Sequence, residues 1–261
     1  MKALHIAASG MLAQELNVEV ISNNIANMRT TGFKRQRADF QDLLYQNLRQ
    51  VGSQSSDSGN LLPTGVQIGS GVRTAATPRI MSQGNVESTE KELDLALRGE
   101  GFFRISLPDG RTGFTRDGSF ERDANGAMVN VNGYPLDPAI TIPVNASGLT
   151  ISAQGAVSAV IGNAPAATVI GQIQVARFVN KSGLEAIGDN IFIETASSGP
   201  AQVANPGDEG YGSLLQRHLE IANVNPVAEI SDLIAAQRAY EMNSRVIRAA
   251  DEMMSATIQF R

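Results

Sequence analysis

The chain has 261 residues, 42% of them hydrophobic, enough apolar mass for one or two packed domains. A net charge of −5 and a pI of about 5.1 argue against nucleic acid as a partner. The absence of cysteine excludes disulfide scaffolds, thiolate metal sites and cysteine nucleophiles, and no apolar run reaches the ~18 residues of a membrane-spanning helix.

The first element is helical. Leu4, Ala7, Met11, Val18, Ile21, Ile25 and Met28 occupy a heptad a/d seam broken only by Gln14. This predicts an amphipathic helix over 3–28, about 39 Å long. Lys2 ahead of an apolar run superficially resembles a secretory leader. His5, Ser9 and Gly10 interrupt that run, and Gln14, Glu15 and Asn17 follow it, which fits an amphipathic helix better than a cleaved signal. Thr30, Thr31 and Gly32 are expected to end the helix, with Gly32 as a left-handed stop. Arg29, Lys34, Arg35 and Arg37 come next. Such a basic cluster is ordinarily a solvated face; the other reading is pairing with acidic neighbours in an assembly. Residues 38–50 read as a short helix or an extended arm, 52–60 as a loop poor in apolar residues, and 61–80 as extended connecting structure.

The middle of the chain predicts β-structure. Asp109-Gly110, Asp117-Gly118, Asn125-Gly126 and Asn132-Gly133 recur every seven or eight residues. Both positions of such pairs tolerate positive φ, so they favour tight hairpin turns. Strands are expected over 101–107, 111–116, 119–122, 127–131, 140–144, 149–152, 156–161, 168–179 and 191–195, a spacing that suits a sandwich or barrel-like domain.

Helix returns near Asn225-Pro226, where proline suits the first turn. Ala235, Ala239, Met242, Val246, Ala249, Met253, Ala256 and Phe260 alternate at spacings of four and three without a break, and Leu233, Tyr240, Ile247 and Met254 form a second row. One partner helix covers one seam. Two rows predict more than one neighbour, because a broad apolar surface left in water is unfavourable.

Chemistry-bearing motifs are weak. The two histidines, His5 and His218, show no HxxxH spacing, so no metal site is expected. Gly99-Glu100-Gly101 before Phe102-Phe103 lacks the third glycine and following helix of a phosphate loop, and reads as a strand entered through a glycine turn. Asp123 to Gly126 opens like a calcium loop but lacks the later carboxylates. No GxSxG occurs. No cofactor and no enzymatic activity are expected.

The fold expectation is α+β. The terminal helices, over 1–30 and 225–261, pair as a coiled-coil-like helical domain. An extended connecting arm spans 31–80, and a mainly antiparallel β-rich outer domain spans 81–224.

Residues 21–37, ISNNIANMRTTGFKRQR, resemble the N-terminal signature of bacterial flagellar rod and hook proteins: Asn23, Asn24, Ile25, Ala26 and Asn27, then Thr31, Gly32, Phe33 and Lys34. FKRQRADFQDLLYQ, GSQSSDSGNLLP, GVQIGSGV, GEGFF, PDG, FTRDGSF and QRAYEMNSR extend the resemblance over essentially the whole chain, and to the distal rod branch of the family. The resemblance implies a building block that polymerises helically into a hollow drive shaft. Its terminal helices line an export channel, its β domain lies outside, and the shaft transmits motor torque. It also implies partners: further copies of itself, proximal rod proteins, hook protein, the peptidoglycan- and outer-membrane-ring proteins, and the flagellar type III export apparatus, which exports subunits without a cleaved signal to a periplasm-spanning rod. The segment 51–62 resembles a rod-specific arm that stiffens the shaft.

Seams and signature together give the expected assembly interface: Leu4, Met11, Val18, Ile21, Asn23, Asn24, Ile25, Asn27, Phe33, Lys34, Ala239, Tyr240, Met242, Val246, Ile247, Met253 and Phe260. The three asparagines are expected to fix helix register, as buried polar groups do in coiled coils. Competing readings are a hook or proximal rod subunit, a secreted β-rich enzyme, or a pilus-like fibre.

Overall fold

The computed structural model describes residues 2–49, 64–162 and 166–259. The arm expected at 51–62 and Phe260 therefore lie outside the described residues. The chain forms two units: Met1–Ile25, Gln36–Pro78 and Pro226–Arg261 make one, and Ala26–Arg35 with Arg79–Asn225 make the other. This division differs from the expected one. The 31–80 segment is shared, its first residues going to the β unit and the rest to the helical unit.

In the helical unit, α1 spans Lys2–Ala26 and α2 spans Pro226–Gln259. In the described parts of the segment between them, 36–49 and 64–78, the regular structure is strand, not helix. Asp39–Asp42 pairs antiparallel with Val72–Ala76, and Tyr45–Arg49 with Val66–Gly69, so the chain runs out and returns as a ribbon. The ribbon sits against α1: the Val72 amide donates to Ser9 Oγ at 3.3 Å, and Lys2 Nζ donates to Gln46. A β-carbon on Gly71 would lie 2.3 Å from Ser9 Oγ. The helices approach where α1 has Gly10, whose β-carbon would meet Asn243 at 2.8 Å.

The β unit is built on a six-stranded antiparallel sheet, in the order Glu185–Gly188, Ile191–Ile193, Thr112–Thr115, Phe102–Ser106, Val175–Arg177, Gln202–Ala204. Side chains alternate across a strand, so the adjacent Phe102 and Phe103 enter two different cores. Phe103 packs edge-on to Phe120 at 5.3 Å in the larger cluster with Leu95, Leu97, Ile105, Met128 and Leu136. Phe102 joins Phe114, Phe178 and Phe192 in the smaller one. Both faces of the sheet are thus covered. A three-stranded sheet, Ala146–Ile151, Ala156–Ile161 and Thr168–Gln172, supplies Leu149, Ile151, Val157 and Ala159 to the larger core.

Three of the four Asx-Gly pairs close tight turns. Gly110, Gly126 and Gly133 all have φ near +82°, and each donates its amide back to the residue three before it. Asp117-Gly118 does not. It passes against the strand Leu95–Arg98, and a β-carbon on Gly118 would lie 1.6 Å from Leu95 O. The expected strand at 140–144 reduces to a single bridge between Ala127 and Thr141.

Candidate functional site

The terminal helices show which of their faces this chain itself covers. On α2, Glu229, Leu233, Ala236, Asn243, Ile247, Ala250 and Met254 are buried or half-buried, and their spacing traces one heptad stripe. The unbroken apolar row read from the sequence lies about a quarter turn away. Met242 is 60% exposed and Val246 48%, and Ala235, Ala249, Met253 and Ala256 are exposed with them. Tyr240, Ile230 and Ile234 are also exposed. On α1, Ala7, Ala13, Val20 and Ile21 are buried, while Leu4, Met11, Val18 and Ile25 are half-buried. Ala239, Ile247 and Asn27 are half-buried too, and Asn23 is exposed.

The three asparagines do different things. Asn24 is buried and carries a polar junction inside the helical unit. Its Nδ2 donates to Gln36 O at 2.8 Å and to Glu229 Oε2 at 3.1 Å, and its Oδ1 accepts from the Gln36 amide at 2.9 Å. Glu229 lies in the first turn of α2, where a carboxylate is favoured by the helix dipole. Asn27 accepts from the Thr30 hydroxyl at 3.1 Å and shapes the turn that follows α1.

That turn carries the Thr-Thr-Gly-Phe-Lys signature into the β unit. Gly32 has φ +67°, but α1 has already ended at Ala26, so Gly32 does not stop the helix. It lies flat on the Arg116–Asp117 backbone, where a β-carbon would come within 2.5 Å of Asp117 N. Its amide donates to Glu220 O at 2.8 Å, and Asn190 Nδ2 donates to Thr31 O at 2.9 Å. Phe33 is buried beside it.

Lys34 is neither solvated nor free to meet a neighbour. Its side chain is fully buried, and Nζ donates to Glu220 Oε1 at 2.5 Å and to Ser82 O at 2.8 Å. Glu220 Oε1 also accepts the Gly84 amide at 2.9 Å, and its other oxygen takes Arg116 Nη1 at 3.3 Å. Arg116 Nη2 donates to Gly99 O at 2.6 Å, and its guanidinium stands 5.6 Å from the Phe102 ring centre. Burial pulls the pKa of Lys34 and of Arg116 below their ordinary values, with Glu220 opposing it in both.

Four of the expected interface residues are therefore enclosed by their own chain: Ile21, Asn24, Phe33 and Lys34. Tyr240, Met242, Val246 and Met253 stand exposed. Sequence reasoning missed Arg116, Glu220, Glu229 and Asn223, because each acts through a partner 104 to 205 residues away and isolated charged or amide residues carry no periodic signal.

A cleft of about 630 Å³ is lined by Arg104, Arg111, Phe114, Ile193, Glu194 and Val203 among others. Its arginines are engaged, Arg104 by Asp137 and Gln174, Arg111 by Asp109. Among the described residues no group of three or more His, Asp or Glu is placed to hold a metal ion, and no helix is long and apolar enough to cross a membrane.

Three family models match the chain: flagella basal body rod protein over residues 4–34, flagellar hook protein FlgE/F/G D1 domain over 96–159, and flagellar basal body rod FlgEFG protein C-terminal over 215–260. The chain is 56% identical over 261 residues to the flagellar basal-body rod protein FlgG of Caulobacter vibrioides, covering 100% of both chains. Identity to the protein of the same name from Agrobacterium fabrum is 50% over 255 residues, 98% of this chain and 97% of that one. Against the flagellar hook protein FlgE of Helicobacter mustelae it is 42% over 135 residues, 51% of this chain and 30% of the hook protein.

Proposed function

This chain belongs to the flagellar basal-body rod protein family, and on that premise we propose how its two units serve the rod. It is a structural subunit of the flagellar distal rod, located in the basal body. Subunits stack helically by heterologous contacts whose rotation does not close, which gives a tube rather than a ring. The tube is a hollow shaft that carries motor torque to the hook and encloses the export channel. The rod is completed by other flagellar components: proximal rod proteins below, hook protein above, ring proteins around it and the type III apparatus that delivers its subunits. The hook reading is disfavoured because similarity to the hook protein spans half of this chain, whereas similarity to the rod proteins is end to end.

One observation carries the assembly reading. α2 has two apolar stripes, and its own chain covers the one that includes polar Glu229 and Asn243 while leaving Met242 and Val246 exposed. Covering a half-exposed side chain of that size gains on the order of 1 kcal/mol. Repeated over many subunits, such contacts hold a shaft together without any single strong bond. The interface is accordingly narrowed to Tyr240, Met242, Val246 and Met253, flanked by the half-buried Ala239, Ile247, Leu4, Met11, Val18 and Ile25 and by Asn23 and Asn27 near the end of α1. No catalytic step belongs to this role.

Val246→Asp tests the reading. The residue is half exposed in the monomer, so thermal stability should change by about 0.5 kcal/mol or less. Polymerisation and motility should be lost, because assembly would bury a carboxylate among apolar groups. Normal tubes from the variant would overturn the assignment.

A further inference from the structure

The chain passes between its two units four times, at 25/26, 35/36, 78/79 and 225/226. Each unit, taken by itself, ties its own ends of these passages together. In the helical unit, Asn24 precedes the first passage, Gln36 follows the second, Pro78 precedes the third and Glu229 lies just past the fourth. Asn24 bonds both Gln36 and Glu229, and the Arg37 amide donates to Pro78 O at 3.1 Å. In the β unit the same four ends meet again. Gly32 N donates to Glu220 O at 2.8 Å, Arg35 N to Asn223 Oδ1 at 2.8 Å and Ile80 N to Arg35 O at 2.9 Å. Asn223 Nδ2 reaches Ile80 O at 2.7 Å and Ser82 O at 3.0 Å. At the centre stand Lys34, Glu220 and Arg116, all but sealed from solvent.

We infer that these are two clamps which make the four passages work as one joint, and that Lys34, Glu220 and Arg116 are its positioning residues. The purpose assigned to the joint, carrying force between helices and β unit, rests on the rod reading. The joint itself does not. Four separate strands under load give way one after another, each bond meeting the full force in turn. Strands cross-linked at both roots share it. The chemistry suits that task. Apolar surfaces slide past each other at small cost, because the hydrophobic effect is non-directional. A buried ion pair does not slide, since moving Lys34 away from Glu220 leaves charges unpaired inside the protein. The backbones leave no slack either: a β-carbon on Gly84 would lie 1.9 Å from Ile221 O.

Single-molecule pulling on the full chain tests the joint. The native sequence has no cysteine, so introduced thiols are unique handles. Handles at Ser255→Cys and Asn125→Cys direct force through the joint; handles at Asn125→Cys and Ser182→Cys keep it within the β unit. Lys34→Met should raise the rupture rate across the joint roughly a hundredfold at fixed force, because it strips Glu220 of its shortest charge-assisted hydrogen bond and Ser82 O of another while Arg116 keeps the carboxylate paired. Asn223→Ala, milder and available if Lys34→Met does not fold, should raise it roughly tenfold. Leu136→Ala, which opens the large core away from the clamp, should weaken the chain when both handles lie in the β unit and leave rupture across the joint unchanged. Rupture across the joint that Asn223→Ala leaves at the parent rate, or that Leu136→Ala accelerates as much as the clamp variants do, would overturn the inference. Neither result depends on polymerisation, which the Val246→Asp variant tests separately.

Discussion

The two units bury their apolar residues to different degrees. In the β unit, Leu95, Leu97, Phe103, Ile105, Met128 and Leu136 have no solvent exposure, and both faces of the central sheet are covered. In the helical unit, α2 runs for 34 residues, and among its described side chains only Glu229, Ala236 and Ala250 are buried. Tertiary packing, more than propensity, is what stabilises a helix in water. The β unit therefore contains its own stability, while the exposed apolar row of α2 is the surface that the proposed assembly would cover.

The comparison can be broken most severely at the clamp. Glu220→Ala leaves Lys34 and Arg116 buried without their carboxylate and should cost about 5 kcal/mol, the upper end for breaking a buried pair. Chemical denaturation followed in the β unit measures it. A loss below about 1 kcal/mol would mean that the cations relax to water. Leu136→Ala should cost about 3 kcal/mol through the cavity it opens. The same loss should appear in monomer and assembled subunits, because this core owes nothing to neighbours; a loss that vanishes on assembly would blur the contrast between the units.

A smaller effect is expected from pH. Burial lowers the pKa of Lys34 below 10.5, with Glu220, Arg116 and Glu100 as the charges acting on it. Between that lowered value and 10.5 the unfolded chain holds the proton that the folded chain has lost, so this residue's contribution to stability rises with pH in that window. The stability gap between the parent and Lys34→Met should widen as pH climbs through it and level off above 10.5. A narrowing gap would show that the ion pair outweighs desolvation. The smallest effect belongs to Gly10→Ala in α1. Helix propensity favours alanine by about 1 kcal/mol, and the new methyl meets only the movable Asn243 amide, so thermal unfolding should shift by a few degrees at most. A large loss would show that the helices cross there more rigidly than the rest of their contact implies.

How far the fold was legible follows from these same residues. Both terminal helices were readable because apolar residues recur at helical spacing over many turns. The stripe that α2 covers is only half readable, since Glu229 and Asn243 sit on it and interrupt the apolar pattern, whereas the fully apolar row is exposed at Ala235, Met242, Val246, Ala249, Met253 and Ala256. Asn125-Gly126 gave its hairpin because turn chemistry is local. Asp117-Gly118 did not, because its glycine answers to the Leu95 carbonyl, which no local pattern contains. Lys34 read as a surface cation for the same reason: its carboxylate lies 186 residues away. The ribbon is less legible: 38–50 reads equally as helix or extended arm and 61–80 only as extended connecting structure, because its strands are short and largely exposed, with little alternation to mark them.

The claim that the helical unit is completed from outside is tested most directly by hydrogen exchange on monomer and assembled rod. Amides of α2 from 230 to 255 should exchange readily in dilute monomer and become strongly protected on assembly, while those in Leu95–Arg98, Phe102–Ser106 and Val175–Arg177 should be equally protected in both. Equal protection of α2 in the two states would contradict the account, because it would mean that the subunit already supplies all the packing its helices need.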